Sequence, residues 1–122
     1  MSERQFGVVG EGPAAAAVKA ALSDVDGAVE QRSATELDAT AFGVVVGRVG
    51  DDAFARANRS VDETPWLAVE LGGVGGHALP EVDAAVSGFG PGTACYDCLR
   101  VRVASNADDE NANADDENAN AD

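Results

Sequence analysis

Apolar and polar positions change period several times along the chain, and each change predicts an element. Gln5–Gly10 (QFGVVG) is a short apolar run, the mark of a strand covered on both faces. PAAAAVKAALSDV follows, and its leading proline suits a first helical turn, where the missing N–H has no intrahelical partner to lose. Gly27–Gln31 (GAVEQ) predicts a second, weaker strand, SATELD a helical turn with Ser33 as a cap, and Ala41–Gly47 (AFGVVVG) a strong third strand. Asp51–Val61 (DDAFARANRSV) places acids at a helix start, where the helix dipole favours them, and Trp66–Leu71 (WLAVEL) predicts a fourth strand. Strands alternating with helices imply a parallel sheet, so the expected fold is a small Rossmann-like α/β domain.

Beyond Leu71 the alternation stops. GGVGGHALP predicts a loop or loose hairpin, Ala84–Phe89 one further short strand, and Gly90-Pro91-Gly92 a turn. In the segment after it two signals conflict. Thr93 is placed to cap a helix carrying Cys95, Cys98 and Leu99, whereas LRVRV alternates with the period of a strand. A helix brings residues three apart onto one face and so brings both sulfurs to one ion; a strand turns them apart, and on that ground a helix is expected. The last sixteen residues, Ala107–Asp122, repeat ADDENAN with alanine as the sole apolar residue. They are expected to be a disordered acidic linker or tail, leaving a folded domain over residues 1–106.

Charge narrows the functional classes. The 122 residues carry a net charge of −14. The tail holds seven of the 22 acids and none of the eight bases, so residues 1–106 retain fifteen acids against eight bases. With one lysine and abundant Ala and Val, this balance resembles that of proteins from salt-adapted organisms. The absence of a basic stripe argues against nucleic acid as a partner, and no apolar run approaches the ~20 residues that span a bilayer. MSERQFG lacks a signal-peptide core, so a cytoplasmic protein is expected, in which two cysteines point to metal binding or reactivity before a structural disulfide.

Two motifs carry candidate chemistry. VVGEGPAA fits G-x-G-x-x-A at Gly10, Gly12 and Ala15 between a predicted strand and helix, the setting of a dinucleotide turn, and Glu30 lies twenty residues beyond Gly10, where an acid holds a ribose hydroxyl. Against this, strand-to-helix turns favour glycine whether or not they bind anything, and Glu11 carries negative charge towards the phosphates. Cys95 and Cys98 supply two of the four ligands of a structural zinc; His77, the lone histidine, gives no complete set, and a redox pair or two inert thiols are the other readings. Trp66 reads as a strand-core residue, and Arg100 and Arg102 as solvated or ion-paired.

Three segments together, VVGEGPAAAAVKAAL, PWLAVEL and GFGPGTACYDCLRVRVASN, resemble the ThiF-like N-terminal region of azole-forming YcaO-type cyclodehydratases, most nearly archaeal ones with an acidic linker. The specific part is G-P-G-x-x-C-[YF]-x-C-L-x-x-R, matched at Gly90, Pro91, Gly92, Cys95, Tyr96, Cys98, Leu99 and Arg102. The resemblance implies that Cys95 and Cys98 are half of a four-cysteine zinc site completed by another C-x-x-C. It also implies a domain that helps hold a precursor peptide or protein for a YcaO partner, in a system that forms azolines or thioamides at the expense of ATP. ATP and magnesium are then expected on the YcaO part, which this sequence lacks, and any nucleotide binding at Gly10, Gly12 and Glu30 is vestigial. A non-catalytic scaffold is therefore expected, a homodimer being compatible with it, and a small dinucleotide-binding Rossmann protein is the alternative.

Overall fold

The computed structural model describes residues 5–24, 28–93 and 95–105; the expected disordered tail over 107–122 lies outside them. The elements are β1 (Gln5–Val9), α1 (Pro13–Ser23), β2 (Ala28–Gln31), a 3₁₀ turn (Leu37–Ala39), β3 (Phe42–Arg48), α2 (Asp52–Ser60), β4 (Trp66–Leu71), a small hairpin of β5 (Gly73–Val74) and β6 (His77–Ala78), β7 (Ala84–Phe89), and a closing helix, α3, over 96–105. The main sheet has the order β2-β1-β3-β4-β7; its first four strands are parallel and β7 runs antiparallel to β4. The arrangement is mixed α/β, a mostly parallel five-stranded sheet flanked by helices and consistent with a Rossmann-like layout. The order 2-1-3-4 is one of the two common doubly wound orders, with the change of direction between β1 and β3.

Strand parity assigns the layers. Val44 and Val46 of β3 pack with Ala15 and Val18 of α1, while Val45 between them packs with Phe54 and Ala57 of α2, so the two helices cover opposite faces. The chain from β2 to β3 passes over β1 on the α2 face, and Leu37, fully buried, is the residue that seals this crossing. Gly7 and Gly43, register partners on β1 and β3, make room for it: a Cβ on Gly43 would lie 2.7 Å from a Leu37 methyl and one on Gly7 3.2 Å from it. These strand glycines are thus a packing device. Asp38 in the same turn accepts hydrogen bonds from the Asp62 N–H and the Thr64 hydroxyl, tying the crossing to the α2–β4 loop.

The segment with conflicting periodicity is helical. Tyr96, Leu99 and Val103 fall on one helical stripe: Tyr96 is buried, Leu99 packs on the core, and Val103 lies against Gly75. Only Val101 is left out, 66% exposed. The alternation of LRVRV therefore misleads, because Tyr96, Leu99 and Val103 also satisfy the helical period and meet the rest of the protein on one face.

α3 docks on the α2 face through rings. Tyr96 stacks on Phe54 at 5.6 Å between centroids and meets Phe89 edge-on at 5.9 Å, and Trp66 lies 4.9 Å from Phe89. Beneath them sits Glu70, without exposed surface and on the same strand face as Trp66 and Ala68. Its carboxylate accepts hydrogen bonds from the N–H groups of Gly75 (2.7 Å) and Gly76 (2.8 Å) and from the Tyr96 hydroxyl (2.8 Å). Gly75 and Gly76 both have positive φ, which turns their successive amides into a concave anion nest. The glycine-rich segment is thus a hairpin built around a buried carboxylate.

Candidate cysteine half-site and the glycine turn

Cys95 and Cys98 are mounted by what lies between and beside them. Burial of Tyr96 and packing of Leu99 orient the helix, and the two remaining cysteine positions of C-Y-D-C-L turn outward, both exposed. Cys95 stands at the N-terminal boundary of α3, its carbonyl accepting the first helical hydrogen bond from the Leu99 N–H at 3.1 Å. That boundary position belongs to Cys95; Thr93 lies two residues earlier, where its hydroxyl bridges the N–H and carbonyl of Gly90 in the Gly-Pro-Gly turn. The Tyr96 N–H, one of the helix's first free donors, is satisfied from α2 by the Asn58 side-chain carbonyl at 3.0 Å. The start of α3 is therefore fixed on three sides, by the turn, by α2 and by the aromatic cluster.

The sulfurs are 3.7 Å apart. In a tetrahedral site with zinc–sulfur bonds of ~2.3 Å, neighbouring sulfurs stand about 3.8 Å apart, so the pair has the spacing of two ligands on one ion. The Cys98 backbone amide and thiol beside it hold the Cys95 thiol below its ordinary value, which favours the thiolate a metal requires. Among the described residues no group of three or more His, Cys, Asp and Glu side chains is arranged around one point, so the pair has the spacing of two ligands with no third grouped beside it there. His77 sits instead on β6, lining a groove with Asp97 and Arg100, and Arg100 pairs with Asp97 at 3.6 Å. A cleft of about 240 Å³ opens beside Cys95 between the end of α2 and the Gly-Pro-Gly turn, lined also by Trp66 and Phe89.

The glycine turn does join β1 to α1 as its sequence context requires, but the architecture accounts for both glycines. A Cβ on Gly10 would stand 2.3 Å from the Val46 carbonyl oxygen, and Gly12 bears a φ of 95° at the boundary of α1. Glu30 is not brought to this turn. It pairs in register with Gly7, on the Leu37 face of the sheet, and is ion-paired with Arg32. The neighbouring Gln31 occupies the α1 side, donating from Nε2 to the Gly10 carbonyl at 3.0 Å. A one-residue offset in strand parity thus separates the acid from the glycines, which sequence spacing does not reveal.

The residues that sequence reasoning missed are Glu70 and Asn58. Glu70 had a legible signal, an acid on the buried parity of W-x-A-x-E, where burial demands donors. Asn58 had none, because its partner lies 38 residues away. No helix among the described residues is long and apolar enough to cross a membrane. Comparison with protein-family models, with curated proteins and with solved structures finds no match.

Proposed function

We propose that this chain is a non-catalytic scaffold and docking domain of a YcaO-type, ATP-dependent peptide-modifying system, with a ThiF-like fold, and that Cys95 and Cys98 supply two thiolates of a zinc site completed by a second C-x-x-C. The observation that carries the reading is the outward-facing sulfur pair at 3.7 Å, with no third ligand grouped beside it among the described residues. Two open positions on an ion so held are an attachment point for another polypeptide segment. The Gly-Pro-Gly turn and the C-Y-D-C-L sequence support the family assignment, since they are the parts that fix the pair in place. In such a system the zinc would be structural, and ATP chemistry would belong to the partner. The alternative dinucleotide reading loses its acid, because Glu30 faces away from Gly10 and Gly12.

The test is reconstitution. The full chain is mixed with zinc, alone and with a YcaO polypeptide carrying a C-x-x-C. Alone it should bind zinc weakly; with the partner it should hold one ion per complex with all-sulfur coordination by X-ray absorption. Cys95→Ser with Cys98→Ser should abolish both the ion and the complex. Unchanged metal content in that double variant, or a reconstituted complex without metal, overturns the reading.

A further inference from the structure

We propose that Cys95 and Cys98 also form a reversible dithiol–disulfide couple, oxidised by small disulfides, whose closure withdraws both sulfurs from any metal or partner. The inference rests on the placement of the pair and holds whether or not a metal is ever bound. The sulfurs stand 3.7 Å apart, and a disulfide needs about 2.05 Å, so closure asks for a further approach of about 1.7 Å. Cys95 lies just outside α3 while Cys98 is inside its first turn, so the approach is made by side-chain rotation, with the Cys95 carbonyl kept in the first helical hydrogen bond. Both are exposed, and Cys95 lines a cleft, so an incoming disulfide has access to its sulfur. No other cysteine exists in the chain, so this is the sole intramolecular pairing open to it.

The exchange proceeds in two displacements. One protein thiolate attacks R–S–S–R, forming a protein–S–S–R bond and releasing one R–S⁻, which takes up a proton. The second protein sulfur then attacks the protein-side sulfur of that mixed disulfide, forming the Cys95–Cys98 bond and releasing the second R–SH. Two protein thiols are oxidised and one small disulfide is reduced to two thiols; a dithiol reductant reverses the reaction. Because a metal requires both sulfurs as thiolates, the oxidised chain presents no half-site.

The full chain, metal-free, is treated with oxidised glutathione and followed by intact mass, beside Cys95→Ser and Cys98→Ser. The wild type should end as monomer lighter by two hydrogens, with no adduct, and dithiothreitol should restore it. Each single variant should keep one glutathione. The adduct in the wild type should stay at least ~10-fold below that in either variant, because the neighbouring sulfur acts at a high effective concentration. A wild type that accumulates two adducts, or covalent dimers in place of the internal disulfide, overturns the proposal. Either result leaves the zinc reconstitution to succeed or fail on its own terms.

Discussion

Tyr96 joins three parts of the molecule: its ring belongs to the aromatic cluster, its hydroxyl binds Glu70 and its backbone N–H binds Asn58 of α2. Replacing it by Phe keeps the ring and removes one of three donors to a buried carboxylate, which should cost about 1–3 kcal/mol in urea denaturation. Burial first, and the adjoining Glu70 second, hold the Tyr96 hydroxyl well above its ordinary value. A group whose folded value is raised contributes stability that is complete below its unfolded value, here near pH ~10, and is lost as pH rises through the folded one. The wild type should therefore lose stability above about pH 10 more steeply than Tyr96→Phe. Tyr96 is the only tyrosine, so phenolate absorbance during the same titration assigns the loss; equal slopes in the two proteins would count against the assignment. At this scale the sequence showed that Tyr96 sits within a special segment but not what its hydroxyl touches, since Glu70 is 26 residues away.

Among the elements, those whose pattern had one reading were legible from their period, and α3, whose period had two, was legible only through the spacing of its cysteines. β1, α1, β3, α2, β4 and β7 follow from runs of apolar residues bounded by glycine, proline and capping acids, and Asp51 does cap α2, accepting from the Ala53 N–H at 2.8 Å. The helical turn expected over SATELD forms slightly later, at Leu37–Ala39, because burying Leu37 over β1 decides where the chain must bend. The strand glycines Gly7 and Gly43 gave no sign of this role, as a glycine in a strand reads equally as a bulge or a weakness. If the fit between Leu37 and Gly43 is as tight as its geometry implies, Gly43→Ala should destabilise by about 1–3 kcal/mol through overpacking. Leu37→Ala should cost about 2–5 kcal/mol through the cavity it leaves. The double variant should cost less than the sum, since the added methyl enters the space the leucine vacates, and a strictly additive cycle would show that the two do not compete for volume.

For the whole molecule, the mostly parallel α/β layout and the charge were legible while the antiparallel setting of β7 was not, and the consequences of layout and charge differ. The parallel sheet places α1 and α2 on opposite faces and leaves α3 to cover the β4–β7 end, which is what aims the cysteine pair outward. The net charge acts on stability. Three ion pairs occur among the described residues, Glu30–Arg32, Asp52–Arg56 and Asp97–Arg100, the last two between half-exposed or more exposed groups that contribute little. Against these stand the fifteen acids and eight bases of residues 1–106, whose unpaired carboxylates repel one another more when folded into a small volume than when extended. Salt screens attraction and repulsion alike, and with so few pairs the relief of repulsion dominates. The melting temperature, followed by fluorescence of the single, buried Trp66, should therefore rise as sodium chloride is raised from ~0.01 to ~1 M, over which the Debye length falls from about 30 to about 3 Å. The steepest rise should come before ~0.2 M, where that length drops below the spacing of surface charges. Sodium sulfate at equal ionic strength separates this from preferential exclusion, which continues to stabilise at high concentration and is stronger for sulfate. A melting temperature indifferent to chloride would mean that the acids lie too far apart to interact, and a rise confined to sulfate would assign the effect to exclusion rather than to charge.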